Sequence, residues 1–366
     1  MEESLFIKWI DKWFKGIVVR VVTTLNGKND ETLTYMYKEM LRKEYSVSGK
    51  WESINTMNTR VSADFVAMDS TLPLKRRDSI GKASGDIAKS GMELWLNEKQ
   101  LTELDTMIAQ GIDDSEILAK LFQDTPRVIT GVYELMEKAF LEGLSTGITV
   151  VDDNDNVGTG VRLDYGYLNA NKFGVTVLWA GNPTTAKPLD DFRRVVKKAK
   201  NDGNILTDVW MDDVTFENMV ATDQVKQFYA WNINYVGLAS NIPAPTLDQV
   251  NNALKRDQKY RFTIHIVDRT IINEKNGVRT TVTPWQEGMV ICSTSTKVGV
   301  LAWATLAERN HPVDGVSYQT ADDYILVSKY RMNSPLREFT SSQARVVPVI
   351  CNVDQIYQMD TKTIQA

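Results

Sequence analysis

Cysteine and histidine are nearly missing from this chain: 366 residues hold two of each. Cys292 and Cys351 both sit in apolar stretches, MVICST and VVPVICNV. They read as core thiols in a reducing compartment, with one disulfide as the alternative, and they exclude a disulfide framework. His265 and His311 are far apart and make no metal spacing with the cysteines, so zinc has no ligand set and histidine catalysis has little to draw on. Long apolar runs are lacking too; none approaches the ~20 residues of a spanning helix. The N-terminus does not read as a secretory signal, because Glu2 and Glu3 open it and Lys8, Asp11, Lys12 and Lys15 interrupt its apolar run. Nor does one sign of charge dominate. Lys and Arg total 42 against 47 Asp and Glu, a net charge of −5, which excludes coating DNA by bulk neutralisation. No internal repeat, coiled coil or low-complexity linker is present. A bound cofactor and a membrane partner are therefore not expected.

The one stretch that looks like a ligand site is LPLKRRDSIGKASGDIAKSGMELWLNEKQL, residues 72–101. A phosphate loop needs Gly, four residues, then Gly-Lys-Ser/Thr. Gly81-Lys82 is followed by Ala83, and Arg76 stands where the first glycine belongs. Lys89-Ser90 is preceded by Ala88. Both frames fail, which leaves a basic hairpin tip carrying Lys75, Arg76, Arg77, Lys82 and Lys89. The segments VSADFVAM and GMELWLNE read as the strands that flank it.

Leu5, Phe6, Trp9, Ile10, Trp13 and Phe14 recur at helical spacing. This helix packs either on the protein's own body or on a neighbouring subunit, with a membrane surface as the third reading. Residues 1–45 read as largely helical, and SVSGKW as a hinge. After Leu101 two helices are split near QGIDDS. A long helix then runs through DTPRVITGVYELMEKAFLEGLSTG, with Thr125 as cap, Pro126 at the first helical position and Gly147 at the end. A hairpin follows, ITVV to GVRLDY. Its acidic turn lacks calcium-loop spacing, since Val157 falls where an oxygen ligand or the glycine is required.

LDDFRRVVKKAKNDG sets Phe192, Val195, Val196 and Ala199 against Arg193, Arg194, Lys197 and Lys198. The basic side is either a solvated face or a contact for nucleic-acid backbone. TFENMVATDQVKQFYA and TLDQVNNALK read as helices. Phe262, Ile264 and Ile266 alternate as a strand in which His265 is an ordinary side chain. Asn276-Gly277 marks a tight turn and GMVICS a buried strand. An apolar strand pair closes the chain. Helices and strands mix without a βαβ rhythm, so the fold class is α+β. Adjacent carboxylates at Asp152/Asp153, Asp190/Asp191, Asp212/Asp213 and Asp322/Asp323 are the material an enzyme would use. Neighbours on a helix or strand point apart, so turns and helix starts explain them better.

The order of these pieces resembles the lambda-type major capsid proteins, the capsid protein E family of tailed bacteriophages. The resemblance rests on Val267-Asp268, Gly277, Pro284, Val290-Ile291 and Gly299 in the stretch from Ile264 to Ala304. It rests also on the closing pattern with Pro335, Ser341, Pro348 and Ile356, and on an arm from Trp51 to Gln100 ahead of a helix at Arg127–Leu144. It covers roughly residues 50–366; the first 45 residues do not match. It implies the Hong Kong 97 capsid fold: an N-terminal arm (1–50), an extended hairpin called the E-loop (51–100), a peripheral domain with a spine helix (101–182), an axial domain (183–335) and a return to the peripheral domain (336–366). It implies a non-enzymatic subunit that self-assembles, as hexamers and pentamers, into the icosahedral head around packaged double-stranded DNA. The virion capsid is then its location, after assembly in the host cytoplasm. The basic tip would grip a neighbouring subunit. A separate scaffolding protein is expected, since 45 leading residues are short for a fused one, and a portal and a decoration protein are further partners. Contact with DNA would be non-specific, with Arg193, Arg194, Lys197 and Lys198 as the candidate DNA-facing set. The rival structural reading is another virion protein, such as a tail-tube or decoration protein.

Overall fold

The alternating and buried strands expected in the last third of the chain become two sheets. The computed structural model describes residues 1–26, 34–55, 81–151, 161–235, 237, 242–257 and 259–365. In chain order the first half contains α1 (Ile7–Asn26), α2 (Met36–Met40), β1 (Leu41–Tyr45), β2 (Lys50–Asn55), β3 (Gly81–Asp86), β4 (Lys89–Leu96), α3 (Glu98–Ala109), α4 (Asp114–Leu121), α5 (Asp124–Thr146), β5 (Ile148–Val151), β6 (Val161–Asp164) and β7 (Lys172–Val175). The middle contains α6 (Pro188–Asn201), β8 (Asp208–Met211), α7 (Asp213–Val220), α8 (Asp223–Asn232), α9 (Leu247–Arg256), β9 (Thr263–Ile266), β10 (Ile271–Lys275) and β11 (Val278–Val282). The chain ends with β12 (Met289–Ser293), β13 (Gly299–Ala304), α10 (Ala307–Asn310), β14 (Ser317–Ala321), β15 (Ile325–Asn333), β16 (Leu336–Ile350) and β17 (Ile356–Ile364).

Two compact units divide these elements. The first takes Met1–Trp51, Gly85–Lys138 and Val300–Pro348. Its sheet runs β1-β13-β16-β15-β14, with β4 also paired to β16. α1 is buried along Ile10, Phe14 and Val18, with Phe6 just ahead of it also buried, and Phe14 stacks on Phe122 with centroids 6.0 Å apart. Of the readings for this helix, packing on the protein's own body is the one realised. The second unit holds Ala139–Gly299 and Val349–Ala366, with the distal halves of β2 and β3. Its sheet runs β7-β17-β12-β8-β9. β17 with β7 and β8 with β9 are parallel pairs, and α7, α8 and α9 supply the long crossover that the second pair needs. Sequence showed no βαβ rhythm because several helices, not one, fill that crossover. Phe192, Val195, Met219, Val250, Leu254, Phe262 and Ile264 form part of this unit's core.

α5 begins at Asp124, so Thr125 and Pro126 lie inside its first turn and not at its edge. Proline is tolerated there because the first-turn N–H groups have no helical partner. The helix stops as expected: Gly147 has φ +82° and its N–H donates to the Gly143 carbonyl at 2.8 Å. The split near QGIDDS is also present, and α3 opens with a reciprocal cap between Asn97 and Gln100 that the sequence reading missed.

The strand pairing around the arm corrects the sequence reading. GMELWLNE does supply a strand, β4, but its partner is β16, with Trp95 opposite Phe339 and Gly91 opposite Gln343. The VSADFVAM segment lies outside the described residues. The paired strands of the arm are β2 and β3, closed at the base by the Ile87 N–H on the Gly49 carbonyl at 2.9 Å. Two glycines of the supposed flexible tip have packing reasons instead. A Cβ on Gly85 would lie 2.8 Å from the Trp51 indole nitrogen, and one on Gly91 would lie 2.3 Å from the Ser342 carbonyl oxygen.

Asp191 anchors the second unit. It is fully buried and accepts from the Thr176 N–H and hydroxyl at 3.1 and 3.2 Å, from the Trp179 indole at 3.0 Å and from Arg194 at 2.9 Å. Those four donors offset the cost of burying the carboxylate. Asp191→Ala strips them of their acceptor and is expected to lower stability by about 3 kcal/mol, read by urea unfolding; a change below about 0.5 kcal/mol would show that the network contributes nothing.

Candidate assembly elements

The five basic residues assigned to the hairpin tip do not form one group among the described residues. Lys75, Arg76 and Arg77 lie outside those residues. Lys82 is on β3. Lys89 is on β4, in register with Arg345 and 3.4 Å from the Glu308 carboxylate. Its place in the sheet removes it from any tip: β4 is tied to β16 along its whole length.

The basic side of α6 is largely answered by its own carboxylates. Arg193 donates to Asp190 at 2.7 Å. Arg194 donates to Asp191 at 2.9 Å and to the Gly174 carbonyl at 2.6 Å. Lys198 donates to Asp202 at 2.6 Å. Lys197 is exposed. Acids in the first turn and bases in the last suit the helix dipole. A phosphate would have to displace these carboxylates, so the solvated-face reading has the stronger support from geometry.

Of the adjacent aspartates that are described, two pairs separate as expected, while Asp322 and Asp323 do not and converge on the Lys43 ammonium at 2.6 and 2.9 Å. Asp190 faces an exposed arginine while Asp191 turns inward. Asp212 caps α7, accepting from the Thr215 N–H at 3.0 Å and its hydroxyl at 2.6 Å, while Asp213 enters the helix. Asp152 and Asp153 lie outside the described residues.

Sequence reasoning missed two ionic clusters, both in the first unit, one partly exposed and one buried. In one, Lys43 donates to Asp322 at 2.6 Å and to Asp323 at 2.9 Å, and Tyr133 donates to Asp322 at 3.1 Å. The Lys38 ammonium stands 3.5 Å from Asp322 and 3.1 Å from the centre of the Tyr133 ring. Burial pulls Lys38 down to about 8 against the opposing attraction of Asp322. Burial, and then the Tyr324 and Asp322 neighbourhood, pushes the Tyr37 phenol well up. In the other cluster Lys329 donates to the Leu121 carbonyl and the Thr340 hydroxyl, each at 2.9 Å. Only 1 % of Lys329 is exposed, and burial drives its ammonium down to about 8. Glu338, equally buried, is raised by burial and eased by the Ser4 hydroxyl and by Lys329. The signal was a lysine at an inward position of the strand ILVSKYRMN, where alternation calls for an apolar residue.

Both lowered lysines bind protons more weakly in the folded chain than in the unfolded one. Stability therefore rises as pH increases above about 8 and gains until the unfolded lysine range is reached. Thermal unfolding should show a gain of roughly 1–2 kcal/mol per lysine between pH 8 and pH 10. Lys329→Met should lose its share of that gain; an unchanged pH slope would show that Lys329 is not held in a buried, charged state.

No family model matches the chain, and no curated protein does. Solved structures do. The chain is similar to a protein described as the capsid protein of an E. coli CFT073 prophage, with a TM-score of 0.57, 9 % identity, and coverage of 94 % of this chain and 98 % of the other. It is also similar to a phage-related protein from Bordetella bronchiseptica RB50, with a TM-score of 0.50, 10 % identity, and coverage of 95 % and 98 %. The chain therefore has the mixed α and β fold of that capsid protein over nearly its whole length.

Proposed function

We propose that this chain is the major capsid protein of a tailed bacteriophage, a Hong Kong 97-type subunit that assembles into the head shell around double-stranded DNA. The observation that carries the reading is the shared fold, which spans nearly all of both chains rather than one module. In this reading residues 1–50 are the N-terminal arm and the E-loop is the β2–β3 ribbon with its connecting residues 56–80. α5 is the spine helix and the axial domain lies within residues 183–299; residues 300–335, expected in it, group with the first unit, as most of β16 does, while β17 pairs with β7 and β12 in the second. The work is structural, not enzymatic, and takes place in the virion after assembly in the host cytoplasm.

Physical arguments support it. A two-stranded ribbon is marginal alone in water and gains most by lying on a neighbour. A closed shell sums many modest contacts, so no single interface has to be strong. A chain of net charge −5 does not cling to the DNA it encloses. The basic residues Lys75, Arg76, Arg77 and Lys82 then meet acidic surface on the adjacent copy. A separate scaffolding protein, a portal and a decoration protein complete the partner set.

Negative-stain microscopy of the purified protein, alone and with its scaffolding partner, should show shells or capsomers. Replacing residues 56–80 by a short Gly-Ser turn between β2 and β3 should leave thermal unfolding of the dispersed protein unchanged and abolish closed shells. Intact shells from that variant would remove the role given to the ribbon, and a monodisperse monomer under every condition would remove the capsid reading.

A further inference from the structure

α1 carries a basic face that the other described residues do not answer. Lys8, Lys12, Lys15 and Arg20 are all exposed, and Asp11 is the one acid between Ile7 and Asn26. None of the four cations forms an ion pair with a described residue. On α6, by contrast, Arg193, Arg194 and Lys198 each reach a carboxylate. Lys8, Lys12 and Arg20 fall on a single i, i+4 row whose remaining position is Gly16, and Lys15 flanks it. The row runs about 18 Å along the helix.

This layout works against the helix that bears it. Like charges at i, i+4 repel, as Lys8 and Lys12 do, and so do Lys12 and Lys15 at i, i+3. Three of the four cations lie in the N-terminal half, and the helix has no acid in its first turn and no base in its last, the reverse of what the helix dipole favours. Gly16 is a weak helix former on an exposed face, yet a Cβ there would meet nothing within 4 Å. Neither packing nor helix stability accounts for these choices. An anion lying along the row accounts for all three: it relieves the repulsion, and the bare glycine lets it approach.

We propose that this row is a contact for the phosphate backbone of double-stranded DNA. The inference rests on the reading of the chain as a shell subunit and names the surface that meets its contents. A membrane surface does not fit, because the apolar side that would insert, Ile10, Phe14 and Val18, is at most 2 % exposed and already packed on the protein's own body. A row of one sign matches a strand of regularly spaced phosphates, and lysines serve there as point charges that read no sequence. An acidic protein would have to bring its carboxylates to one place, whereas DNA offers charge along its whole length and needs no register. Four contacts on a chain of net charge −5 make a weak hold, which positions the DNA without fastening the wall to it.

The test measures binding of a fluorescent mixed-sequence duplex to the dispersed protein over a range of salt. Wild type should bind at low salt, and log K should fall against log salt with a slope of about −3 to −4, the value for four phosphate contacts. Lys8→Gln, Lys12→Gln, Lys15→Gln and Arg20→Gln combined should weaken binding about tenfold or more and flatten the slope, with thermal unfolding no lower than wild type. Lys197→Gln, and Lys75→Gln, Arg76→Gln and Arg77→Gln combined, should keep the wild-type slope. If the fourfold variant unfolds, Gly16→Glu, which adds an acid to the row where a Cβ meets nothing, should weaken binding in its place. Absence of binding in wild type, or an unchanged slope in the fourfold variant, would overturn the inference. So would a loss confined to the Lys75–Arg77 triple or to Lys197→Gln, or tighter binding of polyglutamate than of duplex, the mark of an acidic protein partner. Microscopy tests the shell reading separately: shells without duplex binding reject this inference alone, and duplex binding without shells rejects that reading alone.

Discussion

A β-ribbon of two strands cannot satisfy itself in water: half of its backbone groups face outward and neither face is covered. Among the described residues this chain carries two-stranded ribbons at β2–β3, β5–β6 and β10–β11; β5–β6 has one face covered, with Thr149 and Leu163 buried and the Thr149 hydroxyl on the Ala139 carbonyl of α5. In β10–β11 every residue from Asn276 to Thr281 is exposed, and Ile272 and Val278 stand at 66 % and 65 %. Apolar side chains on an uncovered ribbon are a liability in a solitary molecule and an asset in one meant to be covered. The capsid reading gives these ribbons their second surface. An enzyme or a small-molecule binder would leave them without one.

Each unit is held where a buried charge gathers backbone and side-chain donors. In the first unit Glu137 of α5, 1 % exposed, accepts from the Met36 and Tyr37 N–H groups at 3.0 Å each, so the short α2 is fixed to the long helix by its otherwise free donors. In the second unit Asp191 plays the corresponding part for α6 and the loop after β7. Such sites specify one arrangement more strongly than an apolar contact does, because a shift of one residue leaves an ion without partners. That specificity suits subunits that must repeat one conformation many times, and it leaves the energy of assembly to the surfaces between copies.

Much of this was legible in the sequence. The C-terminal end of α5, the break between α3 and α4, the Asn276-Gly277 turn and the buried β12 all carry local signals in glycine or alternation. The partner of β4 was not legible, because its neighbour β16 lies more than two hundred residues away and no local rule records that pairing. Gly85 and Gly91 misled for a related reason: a glycine that frees a loop and one that admits a neighbouring backbone look alike until the neighbour is known. The ionic clusters were hidden because Lys38, Lys43 and Asp322 are ordinary polar residues until folding brings them together. The basic face of α6 was visible, but its neutralisation by Asp190, Asp191 and Asp202 becomes evident only from the i, i+3 and i, i+4 geometry.

The central claim is that neighbouring copies complete the exposed ribbons of this chain. Amide hydrogen exchange of β2–β3 and β10–β11, measured on dispersed protein and on assembled particles, tests it most directly. The account predicts fast exchange in the dispersed chain and at least about a hundredfold protection on assembly, with the two core sheets protected in both. Equal protection of the ribbons in the dispersed and assembled protein would contradict it.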